Sequence, residues 1–365
     1  MKFRIIISAD KYQLNNVKRS SSPFLHTHEK KTISKLMLWV FIASIPGISC
    51  QIYFFSSGTF YQMVLAITAA FISEAVALRL RKLPIIPHLK DASALVTASL
   101  LAISIPPLSP WWLIVLGTTF AILIAKHIYG GLGQNPFNPA MVGYVVLLIS
   151  FPIQMTSWIP SIELQAIHAN ALESLQIIFT GYTSTGITLN QLTSNIDGIS
   201  QATPLDSFKT NLLIYSLNQR LINPIFIASL SGNGWHWVNI AYFIGGIILL
   251  NRRIISWQIP LAFLVTLLFC SVLSWLIMPT KYAPPMLHLF SGATMLGAFF
   301  IASDPVTAAT TPYGRLIYGI ITGLLTWIIR VYGGYPDAVA FSVLLTNITV
   351  PLIDHYSQPR VYGHK

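Results

Sequence analysis

"DASALVTASLLAISIPP" (Asp91–Pro107) and "SGATMLGAFFIASDPVT" (Ser291–Thr307) decide the fold when they are read together. Each is an apolar run of small residues that reaches a proline. Each is followed by a longer apolar segment that runs into a Gly-Gly pair. The pairs stand in "KHIYGGLGQNPFNPAMVGYVVLL", from Lys126, and "RVYGGYPDAVAFSVLLTNI", from Arg330. The order short span, long span, Gly-Gly loop, Pro-led span therefore occurs twice.

Hydropathy supplies the count that turns this repeat into a topology. The chain has 365 residues, of which 54% are hydrophobic and only 9% charged, against about 25% charged in soluble domains. A helix needs roughly 20 apolar residues to cross a bilayer. Ten segments approach that length: about 33–55, 60–78, 92–106, 110–129, 139–155, 236–250, 258–278, 287–302, 314–332 and 336–353. The spans starting at 92, 139, 236 and 287 are short, as in helices that are broken inside a membrane. The two copies are spans three to five and eight to ten. An offset of five spans is odd, so the second copy is expected upside down relative to the first. The expected fold is an all-α integral membrane protein: about ten transmembrane helices in two inverted five-helix repeats, with one long periplasmic loop. Its expected segments are a cytoplasmic N-terminal stretch (1–32), a first membrane half (33–155), the loop (156–235), a second half (236–353) and a cytoplasmic tail (354–365).

Charge gives the orientation. The net charge is +11, and eight of the 22 Lys and Arg lie within residues 1–35. With the N-terminus in the cytoplasm, 18 basic residues fall inside, and only Lys209, Arg220, Lys281 and Arg330 outside. That asymmetry is the positive-inside pattern. It argues against nucleic acid as the partner and for an inner-membrane protein embedded in lipid. Residues 1–32 have no apolar core, so no cleavable signal peptide is expected and the first span does the targeting. Trp111, Trp112, Trp158, Trp235 and Trp237 gather at predicted outer span ends, as an interfacial belt would. Cys50 and Cys270 both lie in apolar spans without a C-x-x-C pair, so the chain offers no iron–sulfur or thiol centre of its own. Its nine histidines form no i, i+4 pair within a span, so no metal site is read.

Few polar residues inside the spans carry chemistry. "NPFNPA" (Asn135–Ala140) reads as a Pro-started helix after a Gly-rich turn. A water-channel reading would need a second such motif. Asp304, in "SDPVTAATTP", and Asp337, in "GGYPDA", read first as caps. Glu74, late in the second span, lies about a turn from Arg79 and is read as reaching toward the interface. Asp91 reads as a cap. In the loop, "SIELQAIHANALESLQIIF" (161–179) is expected to form one amphipathic helix. Behind it comes "DGISQATPLD" (Asp197–Asp206). Asp197-Gly198 is a turn signal and Pro204 fixes the backbone after Thr203, so the decapeptide presents a threonine on turned or extended chain. By composition alone it is an ordinary solvated loop.

A family resemblance gives this decapeptide a meaning. The pattern Asp, two residues, Ser, any residue, Ala, Thr resembles the flavinylation motif of the Rnf (Rsx) and sodium-translocating NADH:quinone reductase complexes. Nearly the whole chain is similar to the NqrB/RnfD family. The stretches that carry the similarity are "GGLGQNPFNPAMVGYVVLLISFPIQMTSW", "DGISQATPLD", "SGATMLGAFF", "DPVTA" and "NITVPLIDHYSQPRVYGHK". The resemblance implies a covalent FMN, esterified through its phosphate to Thr203 by a dedicated flavin transferase, with Asp197, Ser200 and Ala202 as recognition residues. Gln201 stands where the family pattern has glycine. A full Ser-Gly-Ala-Thr occurs at Ser291–Thr294, but inside a span, where a soluble transferase has no access. Asp304 is a second-rank cofactor-binding candidate, in a region that in the family binds flavin or lines the translocation core, and the resemblance leaves room for a second, non-covalent flavin. It also implies partners: the A, B, C, E and G subunits of an Rnf (Rsx) complex that couples electron transfer to ion translocation, within which this chain would be an oxidoreductase subunit inactive alone. The competing class is a solute or ion transporter with the same inverted repeat and no redox cofactor. A third reading is a scaffold that only holds redox partners.

Overall fold

The computed structural model describes residues 33–165, 169–186, 188, 205, 234–279, 281–335 and 338–358. The described residues are helical, apart from loops and one isolated antiparallel bridge between Tyr182 and Thr188. The first half holds α1 (Ile33–Phe54), α2 (Gly58–Leu80), α3 (Ile85–Leu89), α4 (Ser93–Ser104), α5 (Trp111–Phe120), α6 (Pro139–Ser150) and α7 (Pro152–Thr156). Helix α5 continues in wider π-helical turns over Ala121–His127. After α8 (Ala171–Thr180), the second half holds α9 (Trp235–Asn251), α10 (Gln258–Ile277), α11 (Pro285–Phe290), α12 (Thr294–Leu296), α13 (Pro312–Tyr332) and α14 (Val339–Tyr356). Helix α12 likewise continues in π-helical turns, over Gly297–Ile301.

Five helices, α1, α2, α10, α13 and α14, are long and apolar enough to cross a membrane. The other expected spans are shorter, and proline accounts for two of them. A residue before proline is pushed out of the helical region. Ile105, before Pro106, has ψ 159° and ends α4 after 12 residues. Phe151, before Pro152, has φ −134° and splits α6 from α7. The expected span 287–302 is interrupted between Phe290 and Thr294, where Gly292 has φ 61°. The loop helix differs from expectation as well. Asn170 and Glu173 form a reciprocal capping box, so α8 starts at Ala171 and not near residue 161. A single turn over Ile162–Leu164 precedes it.

Small residues set the packing. Where α1 crosses α9, Gly47 faces the ring of Tyr242, and a Cβ on Gly245 would overlap the Ala43 carbonyl. Gly319 and Gly323, one turn apart on α13, do the same against α10: a Cβ on Gly323 would lie 2.6 Å from the Phe263 carbonyl oxygen. Close approach of backbones is how apolar helices gain contact in a solvent as apolar as themselves. Helix α6 packs on α14. Large apolar side chains such as Ile72 (65% exposed), Phe269 (65%) and Ile348 (60%) cover the outside. That surface suits hydrocarbon and would be an aggregation hazard in water.

Candidate functional site

The interruption between α11 and α12 needs partners for its loose backbone groups, because no water reaches membrane depth. Asn239, on α9 and 1% exposed, supplies them. Its Nδ2 donates to the carbonyl oxygens of Trp235, Phe290 and Gly292, each at 3.0 Å. Its Oδ1 accepts from the Met295 amide at 3.2 Å. The Thr294 hydroxyl is fully buried and donates to the carbonyls of His288 (2.8 Å) and Ser291 (3.0 Å). This hydroxyl is thus engaged by the backbone of the break.

A second asparagine works at the start of α6. Asn138 Oδ1 accepts from the amides of Ala140 (3.1 Å) and Met141 (3.4 Å), with Pro139 in the first turn. This is the Pro-led start expected of "NPFNPA". Asn138 Nδ2 also reaches the Ile301 carbonyl at 3.4 Å, which ties α6 to the end of the broken span. Beside it, the Tyr318 hydroxyl lies 2.8 Å from the side-chain amide of Asn347. A small cavity opens here, between α1, α4, α6 and the segment after α12. Ser93, Lys126, Asn135, Asn138 and Asp304 are its polar lining. The Oδ1 of Asn135 is buried without a hydrogen-bond partner among the described residues. A second small cavity is more apolar, and Gln51, Tyr144, Trp158, Trp235 and Tyr242 are among its lining. Phe55, Trp158 and Trp235 cluster at its side, with ring centroids 4.8–6.5 Å apart.

Sequence reading misses the charged network beside the polar cavity. Glu74 does not reach for the interface. It is 2% exposed and held by Lys126, also 2% exposed, whose Nζ lies 2.8 Å from both carboxylate oxygens. The same Nζ donates to Ser93 Oγ at 2.8 Å, and Ser93 Oγ donates to Asp91 Oδ1 at 2.5 Å. His127 Nε2 lies 3.1 Å from Glu74, and its Nδ1 is 3.3 Å from an Arg81 terminal nitrogen. A guanidinium can only donate, which puts the ring proton on Nε2, toward the carboxylate. Asp91 is a cap as expected, accepting from the Ser93 amide at 2.8 Å, but it also ends this chain of bonds. The available signal is Lys126 itself, an ionisable residue at the close of an apolar helix, four residues before its Gly-Gly pair where Arg330 stands three before the other. Arg330 is 2% exposed too, and its guanidinium donates to the His288 carbonyl at 2.7 Å.

The residues expected to carry a flavin fare differently. Thr203, Asp197, Ser200 and Ala202 lie outside the described residues, as does Asp337. The described residue nearest the motif, Leu205, is 3% exposed and packs against Ala283 and Leu287. Asp304 accepts from the Thr307 hydroxyl (2.9 Å) and the Val306 amide (3.4 Å) within a turn, and no helix starts there among the described residues, so the expected helix cap is a local turn instead. It also lines the polar cavity. Burial raises the pKa of its carboxyl above the usual aspartate value, against the lowering effect of those hydrogen bonds.

Residues 18–363 match the family described as NQR2, RnfD, RnfE. The chain belongs to that family. Members in Yersinia pseudotuberculosis serotype I, Pectobacterium atrosepticum and Salmonella heidelberg are 61%, 60% and 58% identical to it. Each alignment spans 94–95% of this chain and 98% of the relative. All three relatives are named as the D subunit of an ion-translocating oxidoreductase complex. The family match covers both halves and the loop between them, including the residues of both cavities, the Glu74–Lys126 network and the decapeptide.

Proposed function

We propose that this chain is the flavin-carrying membrane subunit of a complex that couples electron transfer to ion translocation across a bacterial inner membrane. The observation that carries the reading is the decapeptide that presents Thr203, set in a chain about 60% identical along nearly its full length to subunits of that name. Thr203 would be an anchor. A phosphoester holds FMN at high effective concentration without a deep pocket, and the ring supplies the redox chemistry. The recognition residues are Asp197, Ser200 and Ala202. A flavin transferase and the other complex subunits are the partners.

The inverted ten-span topology belongs to the same proposal. Helix α1 packs on α9 and α6 on α14. A two-fold axis in the membrane plane would bring counterparts together in this way. The loop 156–235 then faces the periplasm and both termini the cytoplasm, as the basic residues favour.

A second, non-covalent flavin belongs to the same proposal, with the polar lining of this cavity as its candidate contacts. The partnerless Asn135 Oδ1 can accept from a ring N–H, and Asn138 and Asp304 offer further polar contacts at the wall. When bound, the flavin would supply one more one- or two-electron carrier. This chain's residues would orient it and keep water away.

The test is in-gel flavin fluorescence of the denatured subunit, made beside its own transferase. The expected outcome is a fluorescent band that Thr203→Val abolishes and Thr294→Val retains. A dark wild-type band would favour a transporter without a redox cofactor. A signal lost only in Thr294→Val would overturn the attachment site. Full electron transfer by the complex with Thr203→Val would favour a scaffold.

A further inference from the structure

The C-terminus of α9, the turn after it and the start of α10 face the loop between α12 and α13 across an open groove of about 880 Å³. Two guanidiniums line it from opposite walls, Arg253 from the α9–α10 turn and Arg315 from α13. Arg315 Nε donates to the Ala309 carbonyl at 3.2 Å. That bond fixes the side chain and leaves its terminal nitrogens without a hydrogen-bond partner among the described residues. The adjacent Arg252 is engaged elsewhere, over the Trp39 ring at 4.6 Å.

Arg253 stands in a conformation that arginine disfavours. Helix α9 ends in a reversal: the Arg253 amide donates to the Leu250 carbonyl at 2.9 Å, and the Ile254 amide to the Leu249 carbonyl at 3.0 Å. The left-handed position of such a reversal is normally glycine. Here Arg253 fills it, with φ 53°, and its side chain is exposed. Packing therefore gives no reason for the residue. A basic residue at a helix C-terminus complements the helix dipole, which explains a charge near α9 but not the second guanidinium on the opposite wall.

The remaining lining says what the two charges would meet. Asp304 is also at the wall, but its carboxylate is occupied by Thr307 and Val306. The N-cap of α10 is Trp257, with no side-chain hydrogen bond, so the first amides of this 20-residue helix add to the positive end of the groove. The rim is apolar and faces outward, with Ile247 41% exposed and Trp257 56%. An occupant that satisfies these has a phosphate for the arginines and a hydrocarbon tail for the rim.

We propose that this groove seats the headgroup of an anionic phospholipid, for which phosphatidylglycerol is the probe, and that the lipid pins the α9–α10 turn to the start of α13. That the lipid comes from the cytoplasmic leaflet rests on the orientation proposed above. Binding in detergent does not depend on the leaflet, so the two can fail separately.

The experiment takes the intact complex, purified in detergent and stripped of lipid. Phosphatidylglycerol, phosphatidylcholine or inorganic phosphate is added back, and retained lipid is read by native mass spectrometry alongside the melting temperature. The wild type is expected to retain phosphatidylglycerol and melt higher with it, and to gain nothing from phosphatidylcholine. Each arginine near an anionic surface is expected to contribute about fivefold in affinity. Arg253→Gly should therefore weaken retention about fivefold, and Arg253→Gly with Arg315→Gln about 25-fold. Glycine suits the left-handed position, so the lipid-free melting temperature of Arg253→Gly should not fall. That separates a lost ligand from a damaged fold. Equal retention by wild type and double variant would overturn the proposal. So would stabilisation by millimolar phosphate equal to that by the lipid, which would make this a free-anion site. Loss of a neighbouring subunit from the double variant, with lipid retention intact, would also overturn it in favour of protein docking.

Discussion

Lys126 has three ammonium hydrogens and three oxygens at 2.8 Å, two from Glu74 and one from Ser93. The match matters because neither charge touches solvent. Removing one member of a buried pair leaves the other unpaired, which costs about 3–5 kcal/mol, whereas replacing both is often nearly neutral. Lys126→Met should therefore lower the melting temperature of the detergent-purified complex sharply. Glu74→Gln combined with Lys126→Met should recover most of the loss. A double variant as unstable as the sum of the two single ones would show that the pair is not coupled. The pair also marks where residue-level reading stops. Glu74 and Lys126 are 52 positions apart, and the place of each in its own span points it to the nearest water. Only the packing of α2 against the π-helical end of α5 brings them together. The caps are legible because their partners are local: Asp91 serves the amide two residues on, and Asn138 those two and three residues on.

At the scale of elements, punctuation is the legible part. Pro106 ends a helix where the sequence expects it, whereas Pro152 and the Gly-containing break at Ser291–Ala293 interrupt the expected spans 139–155 and 287–302. What holds the break together is not legible, since Asn239 reaches it from α9, more than 50 residues away. Without that side chain, the Phe290 and Gly292 carbonyls and the Met295 amide would lie buried and unpaired. Each orphan costs about 1–3 kcal/mol. Asn239→Leu should thus destabilise by at least about 3 kcal/mol, measured as the drop in melting temperature of the purified complex. Asn239→Ala, if a water enters the vacated space, should cost less. A wild-type melting temperature in Asn239→Leu would mean that the broken span does not depend on this clamp. The start of α8 escapes the sequence pattern for a different reason. Apolar spacing from residue 161 suggests one helix, but Asn170 and Glu173 cap locally and set the boundary.

For the whole molecule, the proposed topology makes a prediction that needs neither cofactor nor partner. Five helices are long enough to span by themselves, and five do not determine the sides of the intervening loops. The charge asymmetry does, and it puts α8 outside and the end of α14 inside. Leu172, 73% exposed on α8, and Tyr356, 80% exposed at the end of α14, are suited to report this. Cys50 and Cys270 are half-buried in the first and seventh expected spans, so replacing both with serine clears the background. In that chain, Leu172→Cys should react with a membrane-impermeant maleimide in intact spheroplasts. Tyr356→Cys should react only after the membrane is opened. Labelling of both from outside would require an even number of crossings between them in place of an odd one. The inverted repeat would then fail whatever the fate of the flavin, because its upside-down second copy depends on an odd offset of five spans.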